Sequence, residues 1–133
     1  MKLVRSLVLI VAVLMLGGAG WVLAQATQAP PTTTEGLLVD GRCYMLNPAN
    51  TGDKHGNTEA CGKLCMNSGA PAAVLGADKQ FHPVMTFVGS FADIIGQTVR
   101  VTGPVQNGAI LARKVEVSKE GQWDEVKLQT MKR

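Results

Sequence analysis

Residues 7–24 of this 133-residue chain contain no charged side chain, and that run limits what the chain can fold into more than any other feature. Lys2 and Arg5 precede it, Gly17, Gly18 and Gly20 interrupt its far end, and Ala24-Gln25-Ala26 forms a small-x-small triplet. These are the parts of a secretory signal, with cleavage expected near residue 26. Residues 6–24 are also about as long as the ~20 apolar residues that span a bilayer, so an uncleaved hydrophobic anchor helix has the same signature. In both cases the positive end stays cytoplasmic. The remainder of the chain is expected to be extracytoplasmic, periplasmic or at the cell surface, and it is short enough for one small domain only.

Charge must be divided at the same point. The chain has 13 Lys and Arg against 10 Asp and Glu, a net charge of +3, but residues 1–26 hold two of the basic residues and none of the acidic ones, which leaves the remainder at +1. A nearly neutral domain lacks the cationic field that follows a phosphate backbone, so nucleic acid is not an expected partner.

Residues 27–35 carry Pro30 and Pro31 and no large apolar side chain; such a stretch buries no core and is expected to be a flexible linker. Residues 36–120 form the expected domain, with 121–133 as a C-terminal tail whose Trp123, Val126, Leu128 and Met131 fit a docking helix as well as a sixth strand. Leu37, Leu38 and Val39 predict a first strand that ends in the region of Cys43. The turn formers of residues 47–57 come next, then Asn57 or Thr58 as N-cap of a short helix to about Asn67, with Gly69 as its stop. Further strands are predicted over residues 73–75 and 81–88, with a turn at residues 77–80 and one helical turn closed by Gly96. Residues 98–105 alternate, Asn107-Gly108 is a hairpin signal, and residues 109–117 form the return strand. The chain is therefore read as mostly β: a small OB-like five-stranded barrel, a size at which this fold is common, with an inserted helix that carries Cys61-x-x-x-Cys65.

Cys43, His55, Cys61 and Cys65, which include every cysteine of the chain, fall within 23 residues. Three thiolates and an imidazole make a complete tetrahedral set for zinc, and thiolate-rich sites also favour Cu(I). Cysteines four apart on a helix share a face. A copper-A centre is not expected, because the position four after Cys65 is Gly69 rather than histidine. An oxidising compartment also favours a disulfide, worth roughly 2–4 kcal/mol to a small domain. Cys43 pairs with either partner more easily than Cys61 with Cys65, and the spare thiol then needs a separate role. Thiol-redox chemistry is a third reading and requires an exposed cysteine of low pKa. His82, on a strand before Pro83, is read as structural, Met66 and Met85 as core fillers, and Tyr44 as packing. No nucleophile-base-acid set, paired carboxylates, CxxCH or phosphate loop is visible, so an enzyme is not expected.

The residues Gly36-Leu37-Leu38-Val39-Asp40 leading to Cys43-Tyr44, then Cys61-Gly62-Lys63-Leu64-Cys65, Gly69-Ala70-Pro71 and residues 96–103 together resemble a group of small exported bacterial proteins. These look like OB-folds that carry Cys-Tyr, a histidine, CxxxC and Gly-x-Pro. In that group the histidine stands three residues before the pair; here that position is Thr58, and His55 stands six before. The resemblance implies an OB-like fold with a metal or redox site, and no particular reaction.

The expected function is binding of one transition-metal ion, Cu or Zn, by Cys43, Cys61, Cys65 and His55. The expected partner is a protein, such as an extracytoplasmic or membrane complex, with membrane contact through residues 6–24 if they are retained. The alternative is a disulfide-stapled interaction module without metal.

Overall fold

Short runs of β-branched and aliphatic residues, separated by turn formers, pair into strands, and the chain is mostly β. The computed structural model describes residues 29–55 and 60–129. The expected signal or anchor (1–26) and the expected helix caps Asn57 and Thr58 lie outside the described residues. Among the described residues no helix is long and apolar enough to cross a membrane.

In chain order the elements are β1 (Thr32–Asp40), α1 (Gly41–Leu46), α2 (Cys61–Asn67), β2 (Ala72–Gly76), β3 (Phe81–Met85), a 3₁₀ turn (Val88–Phe91), β4 (Thr98–Gly103), β5 (Val105–Gln106), β6 (Ala109–Leu111), β7 (Lys114–Lys119) and β8 (Gln122–Glu125). The strands form one sheet in the order β5-β6-β3-β2-β1-β4-β7-β8. Every pairing is antiparallel except β3 with β6, where Val84 stands opposite Ile110 and Met85 opposite Leu111.

Eight strands stand where five were expected, and the sequence explains the excess. Pro104, which has no N–H for a ladder, divides residues 98–106 into β4 and β5, while Ala112 and Arg113 divide residues 109–119 into β6 and β7. The tail supplies the eighth, β8, as a strand and not a helix. It is held by the Arg100 guanidinium, 3.9 Å above the Trp123 ring. At the β4/β5 division Gly103 passes so close to the Leu111 carbonyl that a Cβ would collide with it.

β1 begins at Thr32, inside the segment read as a linker. Its threonines pair with β4, Thr32 opposite Gly103 and Thr34 opposite Val101, while its second half pairs with β2. β-branched threonines suit a strand better than a tether. The Asn107-Gly108 turn has both φ angles positive, as a tight hairpin needs, and joins Gln106 to Ala109.

The core sits on the inner face of the sheet. Val99 opposes Val117 and Val101 opposes Val115, all buried, and Leu38, Val74, Val84, Phe91 and Ile110 complete it. Met66 from α2 is fully buried in the same cluster. That one side chain anchors α2 on the core, while Met85, also read as a core filler, is 58% exposed.

Candidate metal centre

The site is assembled from the end of β1 and the two short helices after it. β1 stops at Asp40, whose Oδ1 accepts the backbone N–H groups of Arg42 (2.9 Å) and Cys43 (3.2 Å). This N-cap turns the chain into α1, so Cys43 stands on a helix and not at the end of a strand as expected. The Gly41 N–H donates to the Pro71 carbonyl at 2.7 Å, which ties the start of α1 to the exit from α2.

The loop between the helices is bound to both. The Asn50 side-chain amide donates to the Cys43 carbonyl at 3.1 Å. Asp53 serves α2 as a cap from outside the helix: its carbonyl accepts from Gly62 N–H (3.0 Å) and its Oδ1 from Lys63 N–H (2.8 Å). The residue before the helix is Ala60, which makes no side-chain cap bond. Gly62 permits this approach, since a Cβ there would meet the Ile95 side chain and press on the Gly52 carbonyl. The loop is thereby drawn against Cys61, and His55 with it.

The result is two overlapping sets of donors. One ligand atom from each of Cys43, His55 and Cys61 lies within 4.8 Å of the others, and the same holds for Asp40, Cys43 and Cys65. The Cys43 and Cys65 sulfurs are 3.9 Å apart. All four expected ligands are thus brought together with Asp40, but as two triads that share Cys43 and not as one tetrahedral group. Cys61 and Cys65 stand one turn apart on α2, and Cys43 reaches both from α1. His82 belongs to neither triad; it lies on β3 opposite Val74. Tyr44 packs as expected, stacked on Phe81 with ring centroids 5.6 Å apart.

The electrostatics of Cys43 and Cys65 are those of buried thiols that hold their protons. Burial pushes the Cys43 thiol up to about 12, with the neighbouring Asp40 carboxylate and Cys65 adding to the rise. The Cys65 thiol is raised as well, by burial first and then by Asp40. Thiol–disulfide catalysis needs the opposite shift. A cation, in contrast, can replace the protons on such thiols, because its charge favours the thiolate.

His55 is held in one tautomer. Its Nδ1 lies 2.9 Å from the Gly52 carbonyl, which can only accept, so Nδ1 carries the proton. Its Nε2 is buried without a hydrogen-bond partner, and so is Asp40 Oδ2. An unmatched buried polar atom is costly. A histidine whose other nitrogen donates to a backbone carbonyl is the usual arrangement for a metal ligand.

Asp40 was not among the candidates from the sequence. The available signal was an Asp directly before Gly-Arg-Cys, the pattern of a helix N-cap; the apolar run on either side read instead as one strand. Comparison with protein-family models, with curated proteins and with solved structures finds no match for this chain.

Proposed function

We propose that this protein is an extracytoplasmic, non-enzymatic metal-binding domain that holds a transition-metal ion, zinc or copper, through Cys43, His55 and Cys61, with Cys65 beside them. The observation that carries the reading is His55: its Nδ1 is engaged by Gly52, its Nε2 is buried without a partner, and a ring nitrogen lies within 4.8 Å of two cysteine sulfurs. Zinc would make the centre structural; Cu(I) would suit transfer or storage.

The scaffold in this reading is an OB-like barrel. Its five strands are β1, β2, β3, the bent pair β4 with β5, and the bent pair β6 with β7, closed by the parallel β3/β6 contact, with α1 and α2 inserted between the first two. β8 is an addition at the edge. This agrees with the OB-like group that the sequence resembles.

The domain acts beside a protein partner, in keeping with an N-terminal signal or anchor. Met45 and Leu46 are 70% and 72% exposed, and with Phe81, Pro71 and Pro83 they line an apolar groove of about 620 Å³ along α1. The same groove favours the second reading, an interaction module in which the cysteines are only staples. Partner binding that survives replacement of all three cysteines would select that second reading.

The test is elemental analysis of the protein purified from its own compartment. About one equivalent of zinc or copper or more is expected. Less than about a tenth of an equivalent of any transition metal, with a disulfide in the intact mass, overturns the proposal.

A further inference from the structure

We propose that the centre is built for two divalent ions of the zinc type, bridged by the Cys43 thiolate. One ion sits with Cys43, His55 and Cys61, the other with Cys43, Cys65 and Asp40. This inference rests on the metal-binding reading above and extends it to Asp40, to the number of ions and to their charge.

Three observations carry it. First, the Cys43 sulfur is the only donor common to both triads, and a thiolate has lone pairs enough to bind two cations. Metal–ligand bonds of about 2.0–2.3 Å put tetrahedral donors roughly 3.3–3.8 Å apart. The 3.9 Å between the Cys43 and Cys65 sulfurs is already close to that separation.

Second, each triad contains one buried polar atom without a partner, His55 Nε2 in the first and Asp40 Oδ2 in the second, and among the described residues there is no other such side-chain atom. Asp40 is 1% exposed. Its Oδ1 is fully employed as the cap of α1, which fixes the carboxyl group, and a carboxylate oxygen lies within 4.8 Å of the Cys43 and Cys65 sulfurs. A single ion in the first triad would satisfy His55 and leave Asp40 Oδ2 unmatched.

Third, charge decides the kind of ion. Asp40 is the one buried charged side chain among the described residues, and no ion pair there includes it. With Cys43, Cys61 and Cys65 as thiolates, the donors carry four negative charges around a neutral imidazole. Two divalent cations neutralise them; two Cu(I) leave two negative charges, and one divalent ion in the first triad, with Cys65 still protonated, leaves the buried Asp40 carboxylate uncompensated, which is costly. A carboxylate is also a hard donor that suits a borderline divalent ion better than Cu(I). Binding balances by proton loss alone: each thiol gives up a proton to solvent as its sulfur bonds to metal, with no change of oxidation state. Cys65 opens on a groove of about 400 Å³ lined by Arg42, Leu64, Ser68, Gly69 and Ala70, which gives the second seat a route from solvent.

The experiment is a Co²⁺ titration of the full chain, stripped of metal under reducing conditions. It is followed by thiolate-to-cobalt absorbance, bound metal and low-temperature EPR. The wild type is expected to bind about two equivalents, with the EPR signal per cobalt weaker at two equivalents than at one, because Cys43 couples the two spins. Asp40→Asn keeps an oxygen for the cap and is expected to bind one equivalent with an uncoupled signal. Cys65→Ser, which does not touch the cap, should do the same. Saturation of the wild type at one equivalent, or two equivalents in both variants, overturns the dinuclear centre and leaves the single-ion reading standing. No cobalt bound by the wild type overturns the dinuclear centre and, with it, the zinc form of the single-ion reading.

Discussion

The sheet and the two-helix insertion of residues 41–67 are built on different principles. In β4 and β7 every second residue is buried, and the pairs Val99–Val117 and Val101–Val115 make a core that depends on apolar pattern and not on individual chemistry. The insertion contributes Met66 to that core, while its helices are only six and seven residues long, too short to be stable alone. They stand because carboxylates and carbonyls hold them: Asp40 under α1, Asp53 under α2, Pro71 between them. A sheet of this kind tolerates many sequences. The insertion depends on a few polar contacts, and those contacts are the ones that bring the sulfurs together.

The largest expected effect strikes the core that the sheet and the insertion share. Phe91 is the largest fully buried side chain among the described residues, and Phe91→Ala should cost about 3–5 kcal/mol in chemical denaturation. Phe91 stands on the 3₁₀ turn that packs against α2, so the loss should be larger with metal bound than without it. An equal loss with and without metal would assign Phe91 to the sheet's stability and not the insertion's.

The next effect belongs to the insertion and appears with pH. Cys43 titrates near 9.0 when unfolded and is pushed up to about 12 when buried. The folded metal-free protein therefore keeps a proton that the unfolded chain has lost across this window. The stabilisation is complete below pH 9 and is lost as pH rises toward 12, by up to about 1.4 kcal/mol per pH unit. Denaturation of the metal-free protein across pH 8 to ~11 measures it. Cys43→Ser should reduce the dependence to the part carried by Cys65, whose thiol is also raised, and an unchanged slope in that variant would assign it to another group. Metal binding runs the other way: protons compete for the thiols, so affinity rises with pH.

A smaller effect tests how the two helices are coupled. Asp53→Ala removes the acceptor for Lys63 N–H and should cost about 1 kcal/mol, while metal affinity falls about 10-fold or more as the loop bearing His55 loosens from Cys61. A competition titration against a chelator distinguishes this from a cap that stabilises without positioning. Smallest is Arg100→Ala, which releases Trp123 and Glu35 at about 0.5–1 kcal/mol. Metal affinity should not change, because β4 and β8 lie outside the insertion.

Much of the sheet was legible because its signals are local. The alternation of residues 98–103, the Asn107-Gly108 turn and the Gly96 stop each operate within a few residues and needed no partner to be read. The CxxxC spacing was legible for the same reason, since one helical turn is enough to set Cys61 and Cys65 on one side. The α1 helix was not. Leu37, Leu38 and Val39 lead into Cys43, Tyr44, Met45 and Leu46 with no local sign that the period changes, and the break comes from Asp40 as a cap and from the Pro71 carbonyl that receives Gly41. The eight strands were equally hidden, because a proline at residue 104 and a crossing near Gly103 divide strands that look continuous in sequence.

By itself, the sequence determined the strand-rich character, the hairpin, the helix that bears two thiols, and the concentration of Cys43, His55, Cys61 and Cys65 in one stretch, because periodicity, turn chemistry and composition act over short distances. Only the tertiary structure decided that these donors divide into two triads around Cys43 and that Asp40 belongs to one of them. Helix caps, loop anchors and the burial of an unmatched carboxylate oxygen depend on residues distant in sequence, whose meeting only the packed chain specifies.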